Sequence, residues 1–181
     1  MRQIEFKKFL DEYKNSVYNY TYYILKNRED AEDVTQDVFI RLWHNRGKVN
    51  RRKRRAWIMK VTYNRCMDLI RQKKASISYD RIAVPLNIDL LNHDDPSVNP
   101  EFQFFQQESR SHISSAINQL PVKMKSIMIL HYFQGFKYKE ISNILDISES
   151  SIKISMHRGR KVLKQILGEH FPEKQMRPSD E

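Results

Sequence analysis

The sequence predicts an all-α protein made of two small helical domains joined by an extended linker, the second domain containing a helix-turn-helix. Three observations predict it. Apolar residues recur at steps of three and four along most of the chain, the spacing that lines one face of a helix. Only four glycines occur, spread thinly, so neither a Gly-rich phosphate loop nor a run of tight hairpins is available. Between about residue 75 and residue 100 the periodicity fails and Asn, Asp, Ser and Pro accumulate, which divides the chain. The expected organisation is a first domain over residues 1–75, a linker over 76–99, a second domain over 100–170 and a tail, expected to be disordered, over 171–181.

Composition narrows the function. A hydrophobic content of 40% in 181 residues is enough for ordinary packed cores. A formal charge of +10 and a pI near 9.7 point to a polyanionic partner, nucleic acid ahead of a membrane surface. No apolar run approaches the roughly 18 residues of a spanning helix, and the N-terminus MRQIEFKKFLDEYK is too mixed in charge for a signal peptide. No membrane insertion and a cytoplasmic location are therefore expected. Cys66 is alone, which excludes an internal disulfide and argues against zinc. The six histidines (His44, His93, His112, His131, His157 and His170) form no HExxH pair, and no nucleophile–base arrangement is visible. No catalytic residues, no metal site and no cofactor are expected.

The first helix is expected from about Gln3 to Lys26, with Ile4, Phe6, Phe9, Leu10, Tyr13, Val17, Tyr20 and Ile24 near core spacing. Its tyrosines read as core, since tyrosine buries its ring while keeping its hydroxyl wet. The second helix, NREDAEDVTQDVFIRLW from Asn27 to Trp43, is acidic inside a basic protein. Ala31, Val34, Val38, Phe39, Leu42 and Trp43 form its apolar face. Carboxylates crowd its first turns, where the helix dipole favours them, and Asn27 can cap it. Composition alone leaves this acidic face open between a solvated helix start and a docking surface. Next comes RGKVNRRKRR, Arg46 to Arg55, with seven of ten residues cationic, a density that favours contact with nucleic acid over a solvated loop. The third helix, Ala56 to about Lys73, turns Trp57, Ile58, Val61, Cys66, Leu69 and Ile70 inward and Lys60, Asn64, Asp68 and Arg71 outward. Asn64, beside a basic run with Trp57 and Tyr63 nearby, has the chemistry to hold an unstacked base.

The second domain opens at Asn99 and Pro100 with a helix burying Phe102, Phe105, Ile113, Ile117 and Leu120. Pro121 starts another, VKMKSIMILHYFQ, with Met124, Ile127, Met128, Leu130 and Phe133 inward, and Gly135 breaks it. A short helix, Tyr138 to Leu145, a tight turn at Asp146 to Ser148 and a long basic helix capped by Ser148 complete a helix-turn-helix, whose second helix enters a major groove. Ile152, Met156, Leu163 and Ile166 point inward. Ser150, Ser151, Lys153, Ile154, His157, Arg158 and Lys161 fall outward, with the serines suited to phosphates or bases and Lys153 and Arg158 to guanine edges or phosphates.

The order of these features, DAEDVTQDVFIRLW, then AWIMKVTYNRCMDLIR, then a linker, then INQLPVKMKSIMILHYFQGFKYKEISNILDISESSIKISMHRGRKVL, resembles the extracytoplasmic-function (ECF, group IV) bacterial RNA polymerase sigma factors. The likeness covers nearly the whole chain outside the linker and the tail. It implies two helical domains, regions 2 and 4, no catalytic activity, and two partners, core RNA polymerase and promoter DNA. An anti-sigma factor covering both domains is often a third partner in this family. By resemblance, Asp30, Glu32, Asp33, Gln36 and Asp37 would dock on the polymerase clamp. Arg46, Lys48, Arg51, Arg52, Lys53, Arg54, Arg55, Lys60, Asn64, Asp68 and Arg71 would melt the minus-10 element and capture a flipped base. Ser150, Ser151, Lys153, Ile154, His157, Arg158 and Lys161 would read the minus-35 duplex.

The sequence also departs from the family pattern. Lys125 and Ser126 stand where Arg-Glu is usual, Ser142 and Gly159 where alanine is usual, Asp146 where glycine is usual, and Ile154 where serine is common. The alternative to a sigma factor is a self-standing helix-turn-helix regulator that binds an operator without polymerase, commonly as a symmetric dimer.

Overall fold

A computed structural model describes residues 3–76, 113 and 115–168, and within them every regular element is helical. Helix α1 spans Gln3–Leu25, α2 Arg28–His44 and α3 Arg54–Ser76; α4 spans Val122–Met128, α5 Tyr138–Leu145 and α6 Glu149–Leu167. The linker, the tail and the start of the second domain lie outside the described residues.

Local chemistry sets the boundaries. Lys26 turns left-handed (φ 57°) to end α1, and the Asn27 side chain accepts the Asp30 N–H at 2.9 Å to begin α2. The basic run after α2 is more ordered than the expected loop: Asn50 caps a 3₁₀ turn over Arg51–Lys53, and Arg54 and Arg55 already belong to α3. In the second unit Pro121 precedes α4, which widens into a π-turn over Ile129–Phe133 before Gly135, at φ 65°, reverses the chain. Lys137 N–H donates to the Glu140 carboxylate at 2.9 Å at the start of α5. Asp146, at φ 56°, ends that helix, and the Ser148 hydroxyl accepts from Ser151 N–H at 3.2 Å to begin α6.

Helices α1, α2 and α3 pack as a bundle around Val17, Tyr20, Val38, Leu42, Ile58 and Cys66, all essentially inaccessible to solvent. Helices α4, α5 and α6 close around Ile127, Leu130, Ile141, Ile144, Ile152 and Met156. Three residues expected in the core are not there. Ile4 is 73% exposed at the start of α1, Ile113 is 37% exposed, and Phe133 is 53% exposed at the π-turn, which rotates it off the buried face.

The two units are packed on one another, α5 lying against α3 and α4 against α1. Arg55 donates to the Gln134 carbonyl, and its guanidinium lies 4.3 Å over the Phe136 ring. Gln134 Nε2 donates to Ser16 O at 3.1 Å, and Lys26 Nζ to Asn118 O at 3.3 Å. Lys125, only 2% exposed, faces Lys26 and Asn118; burial first and the Lys26 charge second bring its amine down from 10.5 to about 8.

Candidate nucleic-acid and protein-binding faces

The acidic residues of α2 divide into two groups. Asp30 is engaged by Lys73 of α3, and Asp37 sits 2.6 Å from Arg65 of α3 and 3.1 Å from Arg41. These two carboxylates, both half-buried, bind α2 to α3. Glu29, Glu32, Asp33 and Gln36 point to solvent, Glu32 making an exposed pair with Arg28 at 2.8 Å. Beside Glu32 and Gln36 a groove runs between α1 and α2, floored by Phe6, Leu10, Tyr18, Phe39 and Trp43 and edged by Ile40, itself 47% exposed. Lys14, Arg28 and His44 line the groove with Glu32, so its edge carries both signs of charge, and an open apolar trough beside the exposed acids of α2 suits a protein element better than a polyanion.

The cationic run and α3 form a second face. Lys48, Arg52 and Lys53 are exposed, while Arg46 folds back with its guanidinium 4.0 Å over Trp43 and donates to the Trp43 carbonyl at 2.9 Å. Arg51 begins the 3₁₀ turn, Arg54 is half-buried with its Nε lacking a hydrogen-bond partner, and Arg55 holds the second unit as described. Asn64 is exposed on the surface of α3 and Lys60 is half-buried. Trp57 and Tyr63 pack against the core, so their rings are partly committed. Asp68 and Arg71, one turn on, pair with each other at 2.9 Å.

The third face is the outer side of α6. Ile152, Met156 and Gly159 are buried, and Lys153, Ile154, His157, Arg158 and Lys161 are all exposed on the other side. Ser150 and Ser151 sit at the helix start with their hydroxyls 2.9 and 2.8 Å from the Ser148 hydroxyl. This is the geometry of a helix-turn-helix reader: a short helix, a tight turn, and a recognition helix presenting polar and cationic side chains outward.

Residues that depart from the family pattern have visible roles around this motif. The Ser142 hydroxyl donates to the Ile147 carbonyl, tying α5 to the turn. Asp146 holds the left-handed position at which glycine carries no steric penalty. A methyl group at Gly159 would come within 2.7 Å of Met128 Sδ and 3.2 Å of Met124 Cγ, so two large methionines fill the space an alanine side chain would take.

Sequence reasoning missed the contacts that join the two units and those that join α2 to α3. The Asp37–Arg41 pair is readable from its i,i+4 spacing. Asp30–Lys73, Asp37–Arg65 and Arg55–Gln134 connect residues far apart in sequence and leave no local pattern.

Comparison with known proteins follows the same division. Sigma-70 region 2 matches residues 9–76, and Sigma-70, region 4 matches residues 111–163. The ECF RNA polymerase sigma factor SigW of Bacillus subtilis is 30% identical over 168 residues, covering 91% of this chain and 90% of the relative. The chain belongs to the ECF RNA polymerase sigma factors. Another relative in this sigma-factor family, SigX of the same organism, is 26% identical over 88% of this chain and 82% of its own length. The chain spans 61% of the length of SigE of Mycolicibacterium smegmatis, at 27% identity. Its sigma-factor fold matches the sigma factor RpoE, solved in complex with the anti-sigma factor NepR from Bartonella quintana, with a TM-score of 0.71 at 18% identity, covering 92% of this chain and 99% of that one. CnrH, solved with the cytosolic domain of CnrY, matches with a TM-score of 0.64 at 17% identity, covering 94% and 92%. No helix among the described residues is long and apolar enough to cross a membrane.

Proposed function

We propose that this chain is a group IV sigma factor of the cytoplasm, without catalytic activity, that docks on core RNA polymerase through α2 and brings it to promoters whose two elements it reads with separate domains. The observation that carries this reading is the separation of charge: an open acidic rim on α2, a cationic run leading into α3, and a cationic outer face on α6. A protein-binding face and two DNA-binding faces on one small chain suit a factor that works between polymerase and promoter.

On this reading Glu32, Asp33 and Gln36 meet the polymerase, with an apolar side chain of the partner seated in the neighbouring groove. Asp30 and Asp37 act indirectly by holding α2 on α3. Lys48, Arg51, Arg52 and Lys53 approach the phosphates of the minus-10 region, and Asn64 offers a carboxamide to a base that has left the stack. Arg46, Arg54, Lys60, Asp68 and Arg71 flank that surface, and Arg55 meets the DNA by exchanging its contacts with Gln134 and Phe136 for the phosphates. The α6 face meets the minus-35 element as duplex, its serines on phosphates and Lys153, His157, Arg158 and Lys161 on base edges or backbone. An anti-sigma factor that covers these faces would keep the chain inactive.

The test is run-off transcription with core polymerase on a promoter library, with and without this chain, and with a Glu32→Lys/Asp33→Lys variant. Promoter-specific transcripts should require both chain and core, and the double variant should lose at least tenfold in polymerase affinity while melting within a few degrees of the parent. Tight, specific binding of the isolated chain to a symmetric operator would instead establish the self-standing regulator.

A further inference from the structure

We propose that Ile154 reads the C5-methyl group of a thymine in the upstream duplex, giving this chain a preference for thymine at one position of that element. The inference rests on the reading that α6 enters a major groove, and it names a base class that the polar residues around Ile154 do not select.

A single exposed apolar side chain is ordinary on a protein surface. Ile154 is set apart by where it stands. It is 52% exposed, whereas Ile152, two residues earlier on the same helix, is fully buried. Two residues turn a helix by roughly 200°, so Ile154 projects almost directly away from the core that holds Ile152. Its neighbours on that outer surface, Ser150, Lys153, His157, Arg158 and Lys161, are all exposed and polar. It lies in the second turn of α6, the N-terminal part of a recognition helix that approaches base edges most closely. A β-branched residue gains little from such a position in the helix itself, because it loses rotamer freedom there and leaves about half of its surface in water.

The chemistry of the groove then limits the partner. Of the four bases, only thymine presents an apolar group on the major-groove edge; the others present donors and acceptors that an isoleucine would desolvate without replacing. The cationic and hydroxyl side chains around Ile154 suit phosphates, guanines and adenines. The one apolar member of the set selects the one apolar feature. Removing a single buried methyl group reduces affinity by about fourfold, enough to set a base preference without dominating binding.

The experiment uses holoenzyme assembled from the full chain and core polymerase, and duplex promoters recovered from a random library by transcription. Each thymine of the upstream element is replaced in turn by deoxyuridine, which removes the methyl group and nothing else. The expected result is one position at which the replacement weakens promoter binding about three- to fivefold with the parent chain and with Ile154→Val. Ile154→Ser, a solvent-exposed change that leaves the core intact, should be indifferent to the methyl at that position. The inference is overturned if no position shows an effect of deoxyuridine that depends on residue 154, or if Ile154→Ser weakens all promoters uniformly. Failure of the underlying reading looks different: scrambling the whole upstream element, or replacing Lys153 and Arg158 by alanine, would then leave promoter use unchanged, and the inference would fall with it.

Discussion

Lys125 carries an ammonium group into the contact between the two units, and replacing it with methionine should stabilise the protein. The side chain is 2% exposed, it makes a 3.4 Å contact with Asn118 Oδ1, and its neighbour Lys26 is cationic too. Burial, assisted by Lys26, lowers the amine from 10.5 to about 8. At about 1.4 kcal/mol per tenfold, that displacement corresponds to roughly 3 kcal/mol of cost for the charged form at neutral pH. Methionine of similar length removes the cost but leaves the Asn118 oxygen unpaired, a loss of about 1 kcal/mol, so the net gain at pH 7 is about 2 kcal/mol. For a chain of this size that is a rise in Tm of roughly 4–8 °C. The pH dependence has a definite sign. Between about pH 8 and 10.5 the unfolded lysine holds a proton that the folded one has released, so the stability of the parent chain rises with pH across that window. Urea denaturation at pH 7 and pH 10 of parent and Lys125→Met tests both points: the gap should be about 2 kcal/mol at pH 7 and close to zero at pH 10. An unchanged gap, or a less stable variant at pH 7, would refute the reasoning.

Asp37→Ala should cost about 1 kcal/mol in urea denaturation, since its half-buried carboxylate pairs with both Arg65 and Arg41, whereas Asp33→Ala should stay within about 0.5 kcal/mol; equal effects would mean that the two acids do not differ in role. Asp146→Gly should raise stability by up to about 1 kcal/mol, because it relieves a left-handed backbone at φ 56°, and a fall in Tm would show that the aspartate earns its place by other contacts. Arg55→Ala removes the hydrogen bond to Gln134 and the cover over Phe136, so amide exchange across residues 130–137 should accelerate about tenfold, by native-state hydrogen exchange; unchanged protection would mean the clasp contributes nothing. Cys66 is fully buried and its thiol is pushed up to about 12 by burial, so an aromatic disulfide reagent at pH 8 should label it only as fast as the bundle opens; rapid labelling of the native chain would contradict that packing.

Much of the fold was legible because its signals are local. The Asn27 cap, the apolar spacing of α2, the Gly135 break and the Ser148 cap all depend on residues within four positions of one another, and each of α1 to α6 begins or ends within a few residues of the expected place, the helix expected from Asn99 lying outside the described residues. Phe133 was misplaced for a related reason. Its spacing is correct for an α-helix, but the π-turn at Ile129–Phe133 adds a residue to the ring and rotates the side chain outward, and no pattern in the sequence announces that widening. The faces of the functional helices were legible in composition, not in engagement. The family resemblance put Asp30 and Asp37 among the docking acids of α2, yet which of those acids meets solvent depends on Lys73 and Arg65, which reach them from α3.

That dependence sharpens the meaning of the acidic helix. A row of carboxylates in a protein of charge +10 could be neutralised within the molecule or kept for a partner. The chain does both, at alternate turns. Asp30 and Asp37, seven residues apart, lie on the same side of α2 and are taken by α3. Glu29, Glu32, Asp33 and Gln36 are exposed, and of these Glu32 and Gln36 line the apolar groove. The inward pairs fix the orientation of α2, and a fixed helix presents its outer acids at a defined spacing. Arg55 follows the opposite logic. It belongs to the cationic run by sequence but is held by Gln134 and Phe136 of the second unit, so one cation of that run also joins the two units.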